Sequence, residues 1–259
     1  MEAEVELVHE FRLSIKKLRS FYKLTEQIVL DDTKDHTAFR RRVRQLFKVA
    51  GQLRDTQVQI QLLASFQEKA GIDYPEFGKW LTKREKKMIL QFFKKPHQLA
   101  PYPTAMHAHH EIGNLLALAG DETILNGAVK ALSQLFGEAR DLSLGNMNDL
   151  KLHRIRTIIK QMRYIQNIMH HSYPDFLFTK LPVETLREIE VAAGQWHDFL
   201  VRVEMLKRFM EKMDPLDNTN KFKYQKFLTD CEAELSISFA QTSNLVQHAL
   251  LSDIEDGDI

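Results

Sequence analysis

Residues 7–28 read LVHEFRLSIKKLRSFYKLTEQI, and the spacing within this stretch decides the fold class. Leu7, Phe11, Leu18, Phe21 and Ile28 recur at helical intervals, without the alternation of a strand. The polar residues keep the same period. His9, Arg12, Lys16, Arg19 and Lys23 advance by three, four, three and four, so at about 100° per residue they share roughly an 80° arc of one helix. Leu7, Phe11, Leu18, Phe21 and Tyr22 occupy another sector of the wheel, which predicts a helix with one buried face and one cationic face.

Working outward, the three-and-four period continues over most of the 259 residues, and alternating runs bounded by turn dipeptides are absent. The fold class is therefore all-α. Gly, Pro, Asn and Asp cluster at Asp31 to Asp35, Gly71 to Pro75, Pro96 to Pro103, Gly120 to Asp121, Gly145 to Asp149, Tyr173 to Pro182 and Asp214 to Asn218. These breaks predict about eight helices, several of them long and joined by short connections, as in antiparallel four-helix bundles. Pro182 falls near a helix start, where proline is tolerated.

With 44% hydrophobic and 27% charged residues, and only 10 Gly and 7 Pro, the chain can bury a sizeable core. The composition predicts a globular, soluble protein. A single cysteine, Cys231, excludes an intrachain disulfide framework and a cysteine-built zinc site, and it fits a reducing compartment such as the cytoplasm. The opening Met1, Glu2, Glu4 and Glu6 does not read as a secretory leader, and no run of apolar residues is long enough to span a membrane.

The net charge of +1 hides a segregated distribution. Arg12, Lys16, Lys17, Arg19 and Lys23 lie in a segment without an acid; so do Arg40, Arg41, Arg42, Arg44, Lys48 and Arg54, and again Lys151, Arg154, Arg156, Lys160 and Arg163. A fourth run, Lys79 to Lys95, carries seven bases against Glu85, while Asp253, Glu255, Asp256 and Asp258 compensate at the C-terminus.

Two of these runs are copies of one pattern. HEFRLSIKKLR from His9 and HRIRTIIKQMR from His153 both read His, Arg at +3, Lys at +7 and Arg at +10, offset by 144 residues. Downstream, GQLRD (Gly51 to Asp55) is echoed by GQWHD (Gly194 to Asp198) at an offset of 143, dividing the chain into repeat halves 1–148 and 149–259. A weaker third echo, GEARD, runs from Gly137 to Asp141. In the second copy His153, Arg156, Lys160 and Arg163 line one edge, and Ile155, Ile158, Ile159, Met162, Ile165 and Met169 the other. Arg40, Arg41, Arg44, Lys48, Gly51 and Asp55 share a further basic face, with glycine where a helix or ligand can approach closely.

Stacked like charges repel by a few tenths of a kcal/mol per pair, so such stripes are compensated by an anion. Phosphate suits them: arginine binds it bidentately, lysine acts as a point charge and histidine can donate a ring N–H. Repeated stripes suit a repeated ligand. An isolated basic face is usually plain solvated surface, and His9 or His153 could instead be half-buried and bonded to a backbone carbonyl; two matched copies favour a site. If the histidines contribute charge, affinity rises as pH falls below about 6.5, the ordinary histidine value. Asp55 and Asp198 repel phosphate and are expected to orient basic residues or fix packing. His107, His109 and His110, and the pair His170 and His171, lack convincing metal-ligand spacing, so no metal or cofactor is expected. His197 and Asp198 are similar to the metal-binding pair of all-helical phosphohydrolases, an alternative weakened because the first copy has Arg54 and Asp55 there. A nucleic-acid binder is the other alternative, with only Tyr22 and Tyr164 near the stripes to stack bases. Nucleotide-binding, nucleophile-elbow and kinase motifs are absent.

The tandem H-x-x-R-x-x-x-K-x-x-R segments, each followed by G-x-x-[RH]-D, resemble the CHAD domain, the conserved histidine α-helical domain, over nearly the whole chain. The resemblance implies two pseudo-symmetric four-helix bundles with a basic cavity and surface that binds inorganic polyphosphate without catalysis, in the cytoplasm and at polyphosphate granules, beside polyphosphate-metabolising enzymes. Carried over by position, it implies ligand contacts at His9, Arg12, Lys16, Arg19, His153, Arg156, Lys160 and Arg163. Arg41, Arg44, Lys48 and Arg187 join them from the following helix of each copy. The copies differ, because Arg44 and Lys48 are answered by Arg187 and Val191, and Lys17 by Gln161. The E-x-E-x-K strand of the triphosphatase domain fused to some relatives is not matched by Glu2, Glu4 and Glu6.

Overall fold

Gly71 and Gly145 adopt left-handed backbone angles, with φ of 63° and 68°, and each stands where a helix has just ended. The structure, a computed structural model, describes residues 2–28, 36–94, 117–213 and 218–251. These residues form α1 (Glu2–Ile28), α2 (His36–Ala70), α3 (Pro75–Lys94), α4 (Asp121–Ser143), α5 (Asp149–Ser172), α6 (Val183–Met210) and α7 (Asn218–Leu251). No strand occurs among the described residues, so the all-α expectation holds, with seven of the roughly eight anticipated helices on view. The breaks at Asp31 to Asp35 and at Pro96 to Pro103 lie outside the described residues.

Local chemistry explains several boundaries. Pro75 opens α3 at a position where its missing N–H costs no helical hydrogen bond. The Asn148 side chain accepts from the Lys151 N–H and caps α5. Pro182 lends its carbonyl to the Leu186 N–H at the head of α6.

Contacts divide the chain into two compact units, and these are not the repeat halves. The first comprises Met1–Arg12, Arg44–Ala100 and Gln195–Ala240; the second comprises Leu13–Val43, Pro101–Gly194 and Gln241–Ile259. Helices α1, α2, α6 and α7 each contribute one end to each unit, so neither unit is a continuous stretch of chain.

In the first unit one cluster joins Leu63, Phe77, Leu81, Leu206, Phe209, Tyr224 and Phe227, with Tyr74 stacked on Phe227 at 4.1 Å. A second gathers Val8, Val49, Ala50, Leu53, Met88 and Phe92, with Phe11 edge-on to Phe92. Cys231 belongs to the first cluster, 2% exposed, and burial pushes its thiol up to about 11. A buried polar thread runs beside it. The Gln59 amide donates to the Asp198 carbonyl at 2.8 Å, and the buried Arg202 reaches the Gln59 side chain and Glu234.

In the second unit Ala128, Ala131 and Ala139 make α4 thin enough for close packing against α5, whose Leu152, Ile155, Ile158, Ile159, Met162 and Ile165 are all fully buried. Gly127 admits Ile28 at the end of α1, since a Cβ there would meet the Ile28 side chain at 2.5 Å. Gln247 of α7 donates to the Ser143 and Gly145 carbonyls, closing the end of α4. No helix among the described residues is long and apolar enough to cross a membrane.

Candidate anion-binding site

On α1 the stripe lies between buried flanks, which corrects the two-faced helix expected from the wheel. Val8, Ile15 and Tyr22 are buried on one side of it and Ser20 and Leu24 on the other, while Leu7, expected in the core, is 51% exposed. A cationic edge set between two packed edges is held against neighbouring helices, so its side chains are partly covered. Arg12, Lys16 and Lys23 are half-buried, whereas His9 and Arg19 are exposed.

Arg12 shows what this does. Its guanidinium lies over the Phe47 ring at 4.6 Å and donates from Nη1 to the Phe47 carbonyl at 3.3 Å, against the surface of α2. Gly51, one turn further on, makes room for it: a Cβ there would stand 2.6 Å from Arg12 Nη1. The close approach expected at this glycine is therefore made by an arginine of α1. Arg44 and Lys48 on the same part of α2 are exposed and form no ion pair among the described residues. Arg41 lies within α2, but its side chain is outside the described residues.

The second stripe sits on α5 between buried Leu152, Ile159 and Gln166 on one flank and Tyr164 on the other. His153 is exposed and Arg156 half-buried. Cations of this run are engaged by the protein's own acceptors. Lys151 Nζ donates to the Leu144 and Asn146 carbonyls, and Arg154 pairs with Glu138 at 2.5 Å. Lys160 lies 3.8 Å from Glu190 of α6, and Arg163 holds the same carboxylate through Nε and, at 3.3 Å, through Nη2. The side chains of Lys160, Arg163 and Glu190 are only 16%, 23% and 19% exposed, so water screens this triad weakly. Arg187 of α6 is exposed.

Sequence reasoning missed Glu190, because a partner 27 residues away on another helix leaves no mark in the local pattern. The repeat contained the signal. Aligning Gly194 with Gly51 sets Glu190 against Phe47, the residue that carries Arg12.

The remaining candidates resolve separately. The charge of Asp55 acts on Arg84 of α3, opposing burial and Arg208, which together lower the Arg84 pKa. His197 Nδ1 lies 3.9 Å from Asp198, whose carbonyl is taken by Gln59. Among the described residues no three His, Cys, Asp or Glu side chains come together as a metal-holding set. His170 Nδ1 lies 3.2 Å from the Pro174 carbonyl, and His107, His109 and His110 lie outside the described residues. Tyr22 and Tyr164 are buried, and desolvation raises the Tyr164 pKa. Lys79, Lys83 and Lys86 of the fourth basic run line an open hollow of about 580 Å³ with Gln67, Asp73 and Thr82.

The family model of the CHAD domain matches residues 1–207, which takes in α1 to α5 and α6 as far as Lys207 and leaves α7 outside. No curated protein matches the chain, and no solved structure does.

Proposed function

The chain belongs to the CHAD domain family, and from that premise we propose that it is a non-enzymatic binder of inorganic polyphosphate, acting through His9, Arg12, Lys16, Arg19, Arg41, Arg44 and Lys48 of the first copy and their counterparts in the second. The observation that carries this reading is the seating of Arg12 on Phe47 and Gly51, beside exposed Arg44 and Lys48. A guanidinium fixed against one helix among further cations is pre-organised for a run of phosphates, and less conformational freedom is lost when the ligand arrives. The proposal includes the finer architecture, two related helical bundles that form one domain, for which the tandem pattern is the support. It also includes a cytoplasmic setting at polyphosphate granules, near enzymes that make or consume the polymer.

Two features weigh against the rival classes. Buried Tyr22 and Tyr164 offer no face to a nucleobase, which disfavours nucleic acid. His197 and Asp198 are answered in the first copy by Arg54 and Asp55, and an arginine cannot ligate a metal, which disfavours a His-Asp phosphohydrolase. The test is binding of labelled long-chain polyphosphate at two salt concentrations, to wild type and to a variant with Arg12, Lys16, Arg156 and Lys160 changed to alanine. The expected result is salt-sensitive binding by wild type, lost in a variant that keeps its helicity, with RNA a poor competitor and no phosphate released. Equal binding by the two proteins would return the stripes to ordinary solvated surface.

A further inference from the structure

The fourth basic run of the sequence, Lys79 to Lys95, plays no part in the paired stripes, and the structure gathers its first half around a hollow. Lys79, Lys83 and Lys86 follow one edge of α3 at intervals of four and three, all exposed, and line an open space of about 580 Å³ with Gln67 of α2 and with Asp73 and Tyr74. A further cation comes from α7. The Lys223 ammonium lies 5.1 Å from the centre of the Tyr74 ring. Two acids stand nearby, and each is engaged by an uncharged donor: Asp73 accepts from the Gln67 amide, and Glu76 accepts from the Tyr224 hydroxyl at 2.8 Å. Lys223 and Lys79 act on Glu76 through their charge, but among the described residues neither acid forms an ion pair with Lys79, Lys83 or Lys86.

We propose that this hollow is a second anion site, separate from the stripes, and that it takes a short run of condensed phosphate, either a free oligophosphate or the end of a longer polymer. It goes beyond the polyphosphate reading above, because none of its residues belongs to either copy of the repeated pattern. The spacing sets the shape of the ligand. From Lys79 to Lys86 the helix rises about 10 Å, at roughly 1.5 Å per residue, so the three charges match a ligand extended along α3 better than a single phosphate. The volume agrees, since pockets of about 300–1,000 Å³ hold whole small molecules rather than one ion. Donor chemistry selects the class. The Thr82 hydroxyl is spent on the Gly78 carbonyl at 3.0 Å and the Gln67 amide on Asp73, which leaves ammonium groups, rich in N–H and without an acceptor, as the charged donors facing the space. Such a lining suits a ligand made of acceptors alone, which a condensed phosphate is and a peptide, with its own N–H groups, is not.

Lysine acylation footprinting of the full chain reads the hollow directly, with inorganic tripolyphosphate as the probe. Lys79, Lys83 and Lys86 are expected to label about threefold or more slowly when the probe is present, whereas the exposed Lys130, Lys180 and Lys212 keep their rate. Protection of both sets alike, or of neither, would overturn the proposal. Affinity gives a second readout, taken in the variant with Arg12, Lys16, Arg156 and Lys160 changed to alanine so that the stripes do not contribute. Adding Lys79→Gln, Lys83→Gln and Lys86→Gln to it should weaken tripolyphosphate binding about tenfold, while adding Lys130→Gln, Lys180→Gln and Lys212→Gln, the same loss of charge elsewhere, should change it less than about twofold. Equal weakening by the two triple changes would also overturn the idea, and so would displacement of the probe by polyglutamate at equal charge, which would assign the hollow to an acidic peptide. Long-chain polyphosphate separates the two sources. Weaker binding of the polymer by a wild-type background carrying the first triple change places a polymer end in the hollow, and unchanged binding makes the occupant a free oligophosphate. A chain that binds no long polymer yet still protects Lys79, Lys83 and Lys86 would end the polyphosphate reading and leave this inference standing.

Discussion

At the scale of single residues, the two glycines of the repeated G-x-x-[RH]-D segment are no longer equivalent. Gly51 is filled from outside by Arg12, while a Cβ at Gly194 would meet nothing within 4 Å. Gly51→Ala gains about 0.5–1 kcal/mol of helix propensity and gives up a cation–π contact of similar size, so its unfolding midpoint should barely move. Polyphosphate affinity should nonetheless fall roughly threefold to tenfold, because the Arg12 guanidinium loses its fixed seat. Gly194→Ala should keep wild-type affinity and melt slightly higher. Thermal melts and binding isotherms of the pair check this, and a common loss of stability and affinity in Gly51→Ala would show that Gly51 matters for folding rather than for Arg12. The cations themselves were legible in the sequence, since spacing alone puts them on one arc. Which neighbours flank that arc was not: Leu7 and Val8 are adjacent and similarly apolar, yet one is half exposed and the other 1% exposed, a difference set by the directions from which other helices approach.

At the scale of elements, the Tyr224 hydroxyl ties α7 to the head of α3. It accepts from the Phe77 N–H at 3.2 Å and donates to Glu76 at 2.8 Å, with the ring wholly buried. The donated bond lowers the Glu76 pKa, while burial first and the same bond second raise that of Tyr224. A carboxylate with a lowered folded pKa adds stability that is present above its unfolded value and is lost as pH falls through the folded one. The raised tyrosine adds stability that is present below its unfolded value and is lost as pH rises through its folded one. Tyr224→Phe should cost about 1–3 kcal/mol at neutral pH and shrink the loss of stability on acidification, as denaturant titrations between pH 3 and 7 would reveal. An acid limb identical to that of wild type would mean that the bond to Glu76 contributes nothing in solution. Helix punctuation was the most legible part of the sequence at this scale. Gly71 with Pro75, Gly145 with Asn148, and Pro182 each bound a helix through a backbone requirement local to a few residues. Glu190 and Tyr224 act across 27 and 148 residues, and nothing local announces them.

At the scale of the whole molecule, near neutrality coexists with unequal copies. The cations are spread over both halves of the chain: Glu26 pairs with Lys23 in the first, and Glu138 and Glu190 meet Arg154, Lys160 and Arg163 in the second. Sequence showed the inequality as fewer bases around Arg187 and Val191; the structure adds the acids that face the bases remaining. The two compact units were not legible, because each is assembled from three separated stretches and a repeat search reports only similarity along the chain. The first of these units holds the only cysteine. Cys231 reacts through its thiolate, and with the thiol pushed up to about 11 inside an aromatic core it is both scarcely ionised and out of reach at pH 8. Alkylation of the native protein should therefore wait on breathing of that core, making the sulfur a stopwatch for local opening. Iodoacetamide labelling followed by intact mass should be far slower than for a free thiol, and faster in Tyr224→Phe by the factor its lost stability predicts. Labelling at the free-thiol rate would mean that the core stands open in solution.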